Sequence, residues 1–224
     1  ELTVKETDFI LNYFTLEPGS AVLDLMCGYG RHAFALAEKG IEITAVDNLP
    51  SYIDEIKTKA TETGLPVKAI LSGALDFTTD EQFDLVLCMG NSLNFFNETD
   101  TGLLLTNISG MLKKGGSLLV NSWSLAEIVF KNFRDNGWST INGMKFLTSG
   151  KILFHPTRME FESTIIAPDG SEEVKQGTDY IFSINEMDAM MNKAGLSIKE
   201  IYSIPGRKKF TVGEPRAYIV AEKK

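Results

Sequence analysis

Cysteine and histidine are scarce in this chain. Its 224 residues hold two of each, Cys27 and Cys88, His32 and His155. There is no CxxC pair and no Cys/His cluster, so the spacing of a metal site is missing. Both cysteines lie in apolar, strand-like stretches and read as reduced buried thiols, which predicts a cytoplasmic location. No apolar run approaches the roughly 20 residues needed to cross a bilayer, so no membrane partner is expected. No signal-peptide pattern is visible. The first residue is Glu1 rather than methionine, and a few native residues are expected ahead of it. Basic residues are in the minority, 22 Lys and Arg against 30 Asp and Glu, for a formal net charge of −8. Phosphate backbones are held by clusters of Lys and Arg, so no nucleic-acid partner is expected. The runs Lys113-Lys114, Arg207-Lys208-Lys209 and Lys223-Lys224 read as solvated ends. Internal repeats and low-complexity segments are also missing, and nothing in the pattern speaks to oligomeric state.

What is present is a nucleotide-binding pattern. Val22 to Leu25 reads as a buried strand that runs into Met26-Cys27-Gly28-Tyr29-Gly30 and then a helix from Arg31 to Lys39. A second strand, Ile41 to Val46, ends in Asp47. Strand, Gly-x-Gly turn, helix and an acid at the next strand tip make a βαβ unit that binds nucleotides. Glycine lets the backbone approach a ligand where a Cβ would collide. The acid can accept hydrogen bonds from ribose hydroxyls. Gly28-x-Gly30-x-x-Ala33 formally satisfies the dinucleotide fingerprint. However, Asp24 lies inside the strand, four residues before the first glycine. A carboxylate there would repel a pyrophosphate and suits a positively charged ligand.

Asp24-x-x-Cys27-Gly28-x-Gly30 followed by Asp47 resembles the cofactor motifs of class I S-adenosylmethionine-dependent methyltransferases, small-molecule type. The resemblance continues in Lys113-Lys114-Gly115-Gly116 before a fifth strand, and in a final helix followed by two strands. Ser183-Ile184-Asn185-Glu186 reads as a capping box opening that helix. The resemblance implies an α/β fold: a doubly wound seven-stranded sheet in the order 3-2-1-4-5-7-6, with the last strand antiparallel. A single domain is expected over 1–224. Residues 143–182 depart from the alternation and read as an inserted antiparallel β meander, with a hairpin at Pro168-Asp169-Gly170. Such an insertion is expected to act as a lid over the acceptor.

The resemblance also implies the site. Asp24 is expected to hold the ammonium of S-adenosylmethionine, and Gly28 and Gly30 to admit its methionine part. Asp47 is expected to bind the ribose, and Asn48 with Leu49 to line the adenine. The acid that the family commonly places after strand three is replaced by Gly73, so the backbone of Ala74 and Leu75 is left to read the adenine. The end of strand four, Gly90-Asn91-Ser92, should face the sulfonium, Gly90 touching the cofactor and Asn91 orienting a nucleophile. His155 and Arg158 are candidates for base and anion anchor, and Tyr13 and Arg31 for closure over the methionine carboxylate. The implied activity is in-line methyl transfer to nitrogen or oxygen of a small soluble acceptor. Two alternatives are a nicotinamide-dependent oxidoreductase, for which no Tyr-x-x-x-Lys is seen, and a non-catalytic S-adenosylmethionine-binding module.

Overall fold

The computed structural model describes residues 2–224. Helices are α1 (Leu2–Tyr13), α2 (Arg31–Ala37), α3 (Pro50–Thr63), α4 (Glu98–Met111), α5 (Ala126–Asn132) and α6 (Ile184–Lys193). Strands β1 (Ala21–Leu25), β2 (Glu42–Asp47), β3 (Val67–Leu71), β4 (Phe83–Cys88) and β5 (Leu112–Ser122) alternate with the early helices. A second group follows: β6 (Asn136–Ile141), β7 (Met144–Phe154), β8 (Thr157–Ile166) and β9 (Glu172–Tyr180). The chain ends in β10 (Leu196–Ile204), β11 (Lys208–Lys209) and β12 (Ala217–Lys223).

The main sheet has the order β3-β2-β1-β4-β5-β12-β10-β11. Neighbours from β3 to β5 are parallel, and β12 runs antiparallel to both β5 and β10. This is the expected order and direction, extended by the two-residue β11 at the β10 edge. The strands are apolar on both faces because helices cover both faces. Leu23, Leu25, Val86, Cys88, Leu118 and Val120 point to the side of α4 and α6. Val22, Leu85, Leu87 and Leu119 point to the side of α1, α2 and α3. That alternation places Asp24 on the second side, with Val22.

The remaining strands form a separate antiparallel sheet, β6-β7-β8-β9. It begins seven residues before the expected boundary of 143, at Asn136, and its first strand was not foreseen. The signal was there: Asn142-Gly143, both at positive φ (51° and 80°), make the two-residue turn that joins β6 to β7. Asn-Gly is the preferred sequence for that turn because both positions tolerate left-handed backbone. The Pro168-Asp169-Gly170 turn joins β8 to β9 as expected, and Ser183 and Glu186 make the reciprocal capping box of α6.

Helix α1 is fastened by a buried polar hub. Glu6, 1% exposed, accepts hydrogen bonds from Tyr218 (2.7 Å) and Arg31 (2.8 Å) and lies 3.0 Å from Nε2 of His32. Against the penalty of burial, the hydrogen bonds from His32 and Tyr218 and the charges of His32 and Arg31 hold its carboxyl down at about 2. Burial and the adjoining Glu6 push Tyr218 up to about 12.

A Cβ on Gly116 would sit 2.9 Å from the carbonyl oxygen of Lys113 and 3.0 Å from that of Phe83, both backbone. Gly116→Ala should therefore cost about 1–3 kcal/mol in urea unfolding. Gly102→Ala, in open space within α4, should instead gain about 0.5–1 kcal/mol. The depressed carboxyl of Glu6 contributes stability above its ordinary value of 4.5, and that contribution fades as pH falls toward about 2. The stability difference between wild type and Glu6→Gln should be constant above pH 4.5 and shrink below it; a difference that grew on acidification would contradict the assignment.

Candidate functional site

At the carboxyl ends of β1 and β4 the strand order reverses, and a crevice must open there because the flanking connections run to opposite faces. The turn after β1 is tight. Met26 (φ 60°), Gly28 (57°) and Gly30 (77°) are all left-handed, and the N–H of Gly30 returns to the carbonyl of Cys27 at 3.1 Å. Asp47 fastens this turn: its Oδ2 accepts the N–H of Gly28 (2.9 Å) and its Oδ1 the N–H of Leu49 (3.0 Å). Its own carbonyl accepts the N–H of Ser72, which brings in the chain after β3.

The result is a cavity of about 610 Å³. Asp24, Gly28, Asp47, Asn48, Leu49, Ala74 and Gly90 line it, all of them expected from sequence. So do Met26, Cys27, Arg31, His32, Tyr52, Ser72, Met89, Ser92, Phe95 and Phe96. Of these, His32, Tyr52 and Met89 were missed. Their types are ordinary in helices and strands, and nothing in the spacing marks them.

Gly30 does not line the cavity. A Cβ there would meet the side chain of Ile56 at 3.1 Å, so this glycine serves helix packing and the left-handed entry to α2. Leu75 turns into the core, and its carbonyl faces the side chain of Asn107. A Cβ at Gly73 would lie 2.8 Å from Oδ2 of Asp76, whose carboxylate folds over the position where the family commonly carries its acid. Tyr13 packs against Phe9 and Tyr202, away from the cavity lining.

Asn91 has another task than the one expected. It is 1% exposed and its amide is fully engaged within the fold. Nδ2 donates to Ser124 Oγ (2.8 Å) and Asp179 Oδ2 (2.9 Å). Oδ1 accepts from the N–H groups of Trp123 (2.9 Å) and Ser124 (3.0 Å), with the Ser122 hydroxyl at 3.1 Å. No capacity is left for a substrate. Held in this way, Asn91 keeps a left-handed backbone (φ 68°) directly after Gly90 (φ 72°), and so shapes the cavity rim. Asp179, 5% exposed and contributed by β9, was not foreseen at all. Burial raises its pKa, against hydrogen bonds from Ser124 and Asn91.

His155 and Arg158 are not brought to the cavity lining. His155 is exposed at the β7–β8 turn. Arg158 spends Nε and Nη2 on Glu160, each at 3.0 Å, and Nη1 on the carbonyl of Pro156 at 3.1 Å. An arginine paired within its own strand is not free to anchor an anion.

Asp24 is a buried acid of the cavity lining, beside Arg31 and His32. This carboxylate is 2% exposed and its Oδ2 is a buried oxygen without a hydrogen-bond partner. Burial raises its pKa, while the charges of His32 and Arg31 and the backbone at Ala33 pull it down and Asp47 pushes it up. Burial, with Asp24 and Asp47, also raises the pKa of the Cys27 thiol, which is thereby kept neutral and unreactive.

Comparison with known proteins is consistent along the chain. Residues 22–116 match the model of a methyltransferase domain. A cypemycin N-terminal methyltransferase from Streptomyces sp is 34% identical over 110 residues, 49% of this chain and 44% of that protein. A ubiquinone biosynthesis O-methyltransferase from Rickettsia felis is 30% identical over 101 residues, 45% and 40% of the two chains. The chain thus spans less than half the length of these curated relatives. The CcbJ methyltransferase of Streptomyces caelestis superposes with a TM-score of 0.87 at 19% identity, over 99% of this chain and 89% of that one. The S-adenosylmethionine-bound CalS10, an amino pentose methyltransferase of Micromonospora echinaspora, gives 0.74 at 19% identity, over 100% and 92%. At such identities the structures speak for the fold alone, and the domain match speaks for residues 22–116. Residues 22–116 are thus similar to a methyltransferase domain, and the whole chain shares the fold of S-adenosylmethionine-dependent methyltransferases.

Proposed function

We propose that this protein transfers the methyl group of S-adenosylmethionine to a nitrogen or oxygen of a small soluble acceptor. One observation carries the choice of cofactor. Asp24 lines the cavity, its buried Oδ2 has no partner within the fold, and a buried acid at this place calls for a positive group. S-adenosylmethionine has an ammonium and a sulfonium; a dinucleotide would bring a pyrophosphate to a carboxylate. The remaining donor set fits the same ligand. Gly28 has open space where a Cβ would stand, which permits close backbone approach. Each oxygen of Asp47 uses one lone pair on the backbone and keeps another for a ribose hydroxyl. Asn48, Leu49, Ser72 and Ala74 form the wall toward the adenine.

When bound, the sulfonium supplies an already activated methyl, and its leaving thioether needs no proton. The protein's work is then alignment and exclusion of water. Holding an acceptor atom in line at about 3 Å supplies much of the rate in such displacements. Gly90, Met89, Phe95 and Phe96 border the end of the cavity at β4, where an apolar wall favours a poorly hydrated acceptor. The separate sheet is proposed to cover that acceptor. Its support is the way it is tied to the β4 loop, through Asp179 on Asn91 and through the carbonyl of Tyr180 on Asn94 (2.8 Å). The net charge of −8 weighs against RNA and DNA. The relatives named for N-terminal, ubiquinone-pathway and amino pentose methylation support both nitrogen and oxygen as attacking atoms. Among the described residues, no helix is long and apolar enough to cross a membrane.

Calorimetry and a labelled-methyl assay test the reading together. S-adenosylmethionine should bind, NAD should not, and Asp47→Ala should weaken binding by about 2 kcal/mol through lost charge-assisted hydrogen bonds. With metabolite extract, total tRNA and a peptide library as acceptors, label should enter the extract; label confined to tRNA or peptides would overturn the small-molecule reading. Asp179→Ala should leave donors on Asn91 and Ser124 unpaired and cost about 3 kcal/mol of stability in denaturant titration. A neutral effect would show that the separate sheet is not anchored there.

A further inference from the structure

Glu6 is buried while the other acid of α1, Asp8, is exposed. A buried carboxylate is an expensive way to fasten a helix that already packs through Phe9 and Ile10. Its partners suggest what it is for. Arg31 and His32 are the first two residues of α2, directly after the glycine turn, and both line the cavity beside Asp24. Arg31 is held through Nη1 by Glu6 at 2.8 Å and by the hydroxyl of Thr3 at 3.0 Å, both on α1, and its side chain remains 27% exposed. The charges of Arg31 and His32 in turn bear on Asp24. From α1 inward, the order is carboxylate, two basic side chains, carboxylate.

We propose that Glu6 is a positioning residue that holds Arg31 and His32 at the amino-acid end of the cavity, so that α1 closes this end and sets its affinity for ligands bearing an α-amino-acid group. The inference rests on the reading that the cavity takes S-adenosylmethionine. An α-amino-acid group presents a carboxylate and an ammonium about one residue's width apart. A guanidinium fixed on one edge presents its remaining donors to the carboxylate at little further entropic cost. Asp24, with an oxygen still unpartnered, takes the ammonium.

Two ligands isolate the effect. S-adenosylhomocysteine carries the amino-acid group; 5′-methylthioadenosine has the same nucleoside thioether without it. Their affinities are measured by calorimetry for wild type, Glu6→Gln and Tyr218→Phe. Glu6→Gln keeps the size of the side chain and removes its charge. It should weaken S-adenosylhomocysteine about tenfold and leave methylthioadenosine within about twofold. Tyr218→Phe removes the neutral contact to the same carboxylate and should leave both affinities unchanged within about twofold. Equal weakening of both ligands in Glu6→Gln, or none, overturns the proposal. Should Glu6→Gln not fold, Thr3→Val decides, at a half-buried position: about threefold weaker S-adenosylhomocysteine alone supports it, and unchanged affinity overturns it. Wild type binding neither ligand would instead overturn the cofactor reading, and this inference with it.

Discussion

The double acceptance by Asp47 is the constraint on which the rest of the site depends. One carboxylate ties the N–H of Gly28, after β1, to the N–H of Leu49, ahead of α3. Its backbone carbonyl ties in Ser72, after β3. Three separate turns are thereby set in register at the carboxyl edge of the sheet. Charge-assisted bonds of this kind are roughly twice as strong as neutral ones, and here they are nine-tenths shielded from water. Asp47 also belongs to the cavity lining.

A second organising centre lies on the other rim. Asn91 gathers the ends of β4, β5 and β9 around a single amide. Its left-handed backbone carries a small conformational cost, which five side-chain and backbone partners offset. The consequence is mechanical. The separate sheet cannot shift without disturbing the residue next to Gly90, and Gly90 borders the cavity. The separate sheet and the loop after β4 are tied through two buried side chains, Asn91 and Asn94, rather than through the exposed body of the sheet.

The two centres have their counterpart in Glu6, which brings α1 to the same cavity from a third direction. All three are buried polar residues with complete or nearly complete hydrogen bonding. Asp24 and Thr7 differ, each with one buried side-chain oxygen left without a partner. Of the two, Asp24 belongs to the cavity lining and Thr7 does not.

The sequence by itself determined the sheet. Short apolar runs of the type Phe83 to Cys88 can be buried on two faces only in a parallel sheet with helices on both sides. The glycine turn with Asp24 and Asp47 located the cavity in that sheet, because strand-end geometry is local. The Asn142-Gly143 hairpin was equally legible and was passed over. The rest required the tertiary structure. Gly30 and Gly28 look alike in sequence, yet one faces Ile56 and the other the cavity. Asn91 reads as a substrate contact until Asp179, 88 positions away, is seen to occupy its amide. Arg158 reads as an anion anchor until Glu160 is seen beside it. A polar side chain's role is set by who reaches it first, and partners distant in sequence are brought together only by the packing of the whole chain.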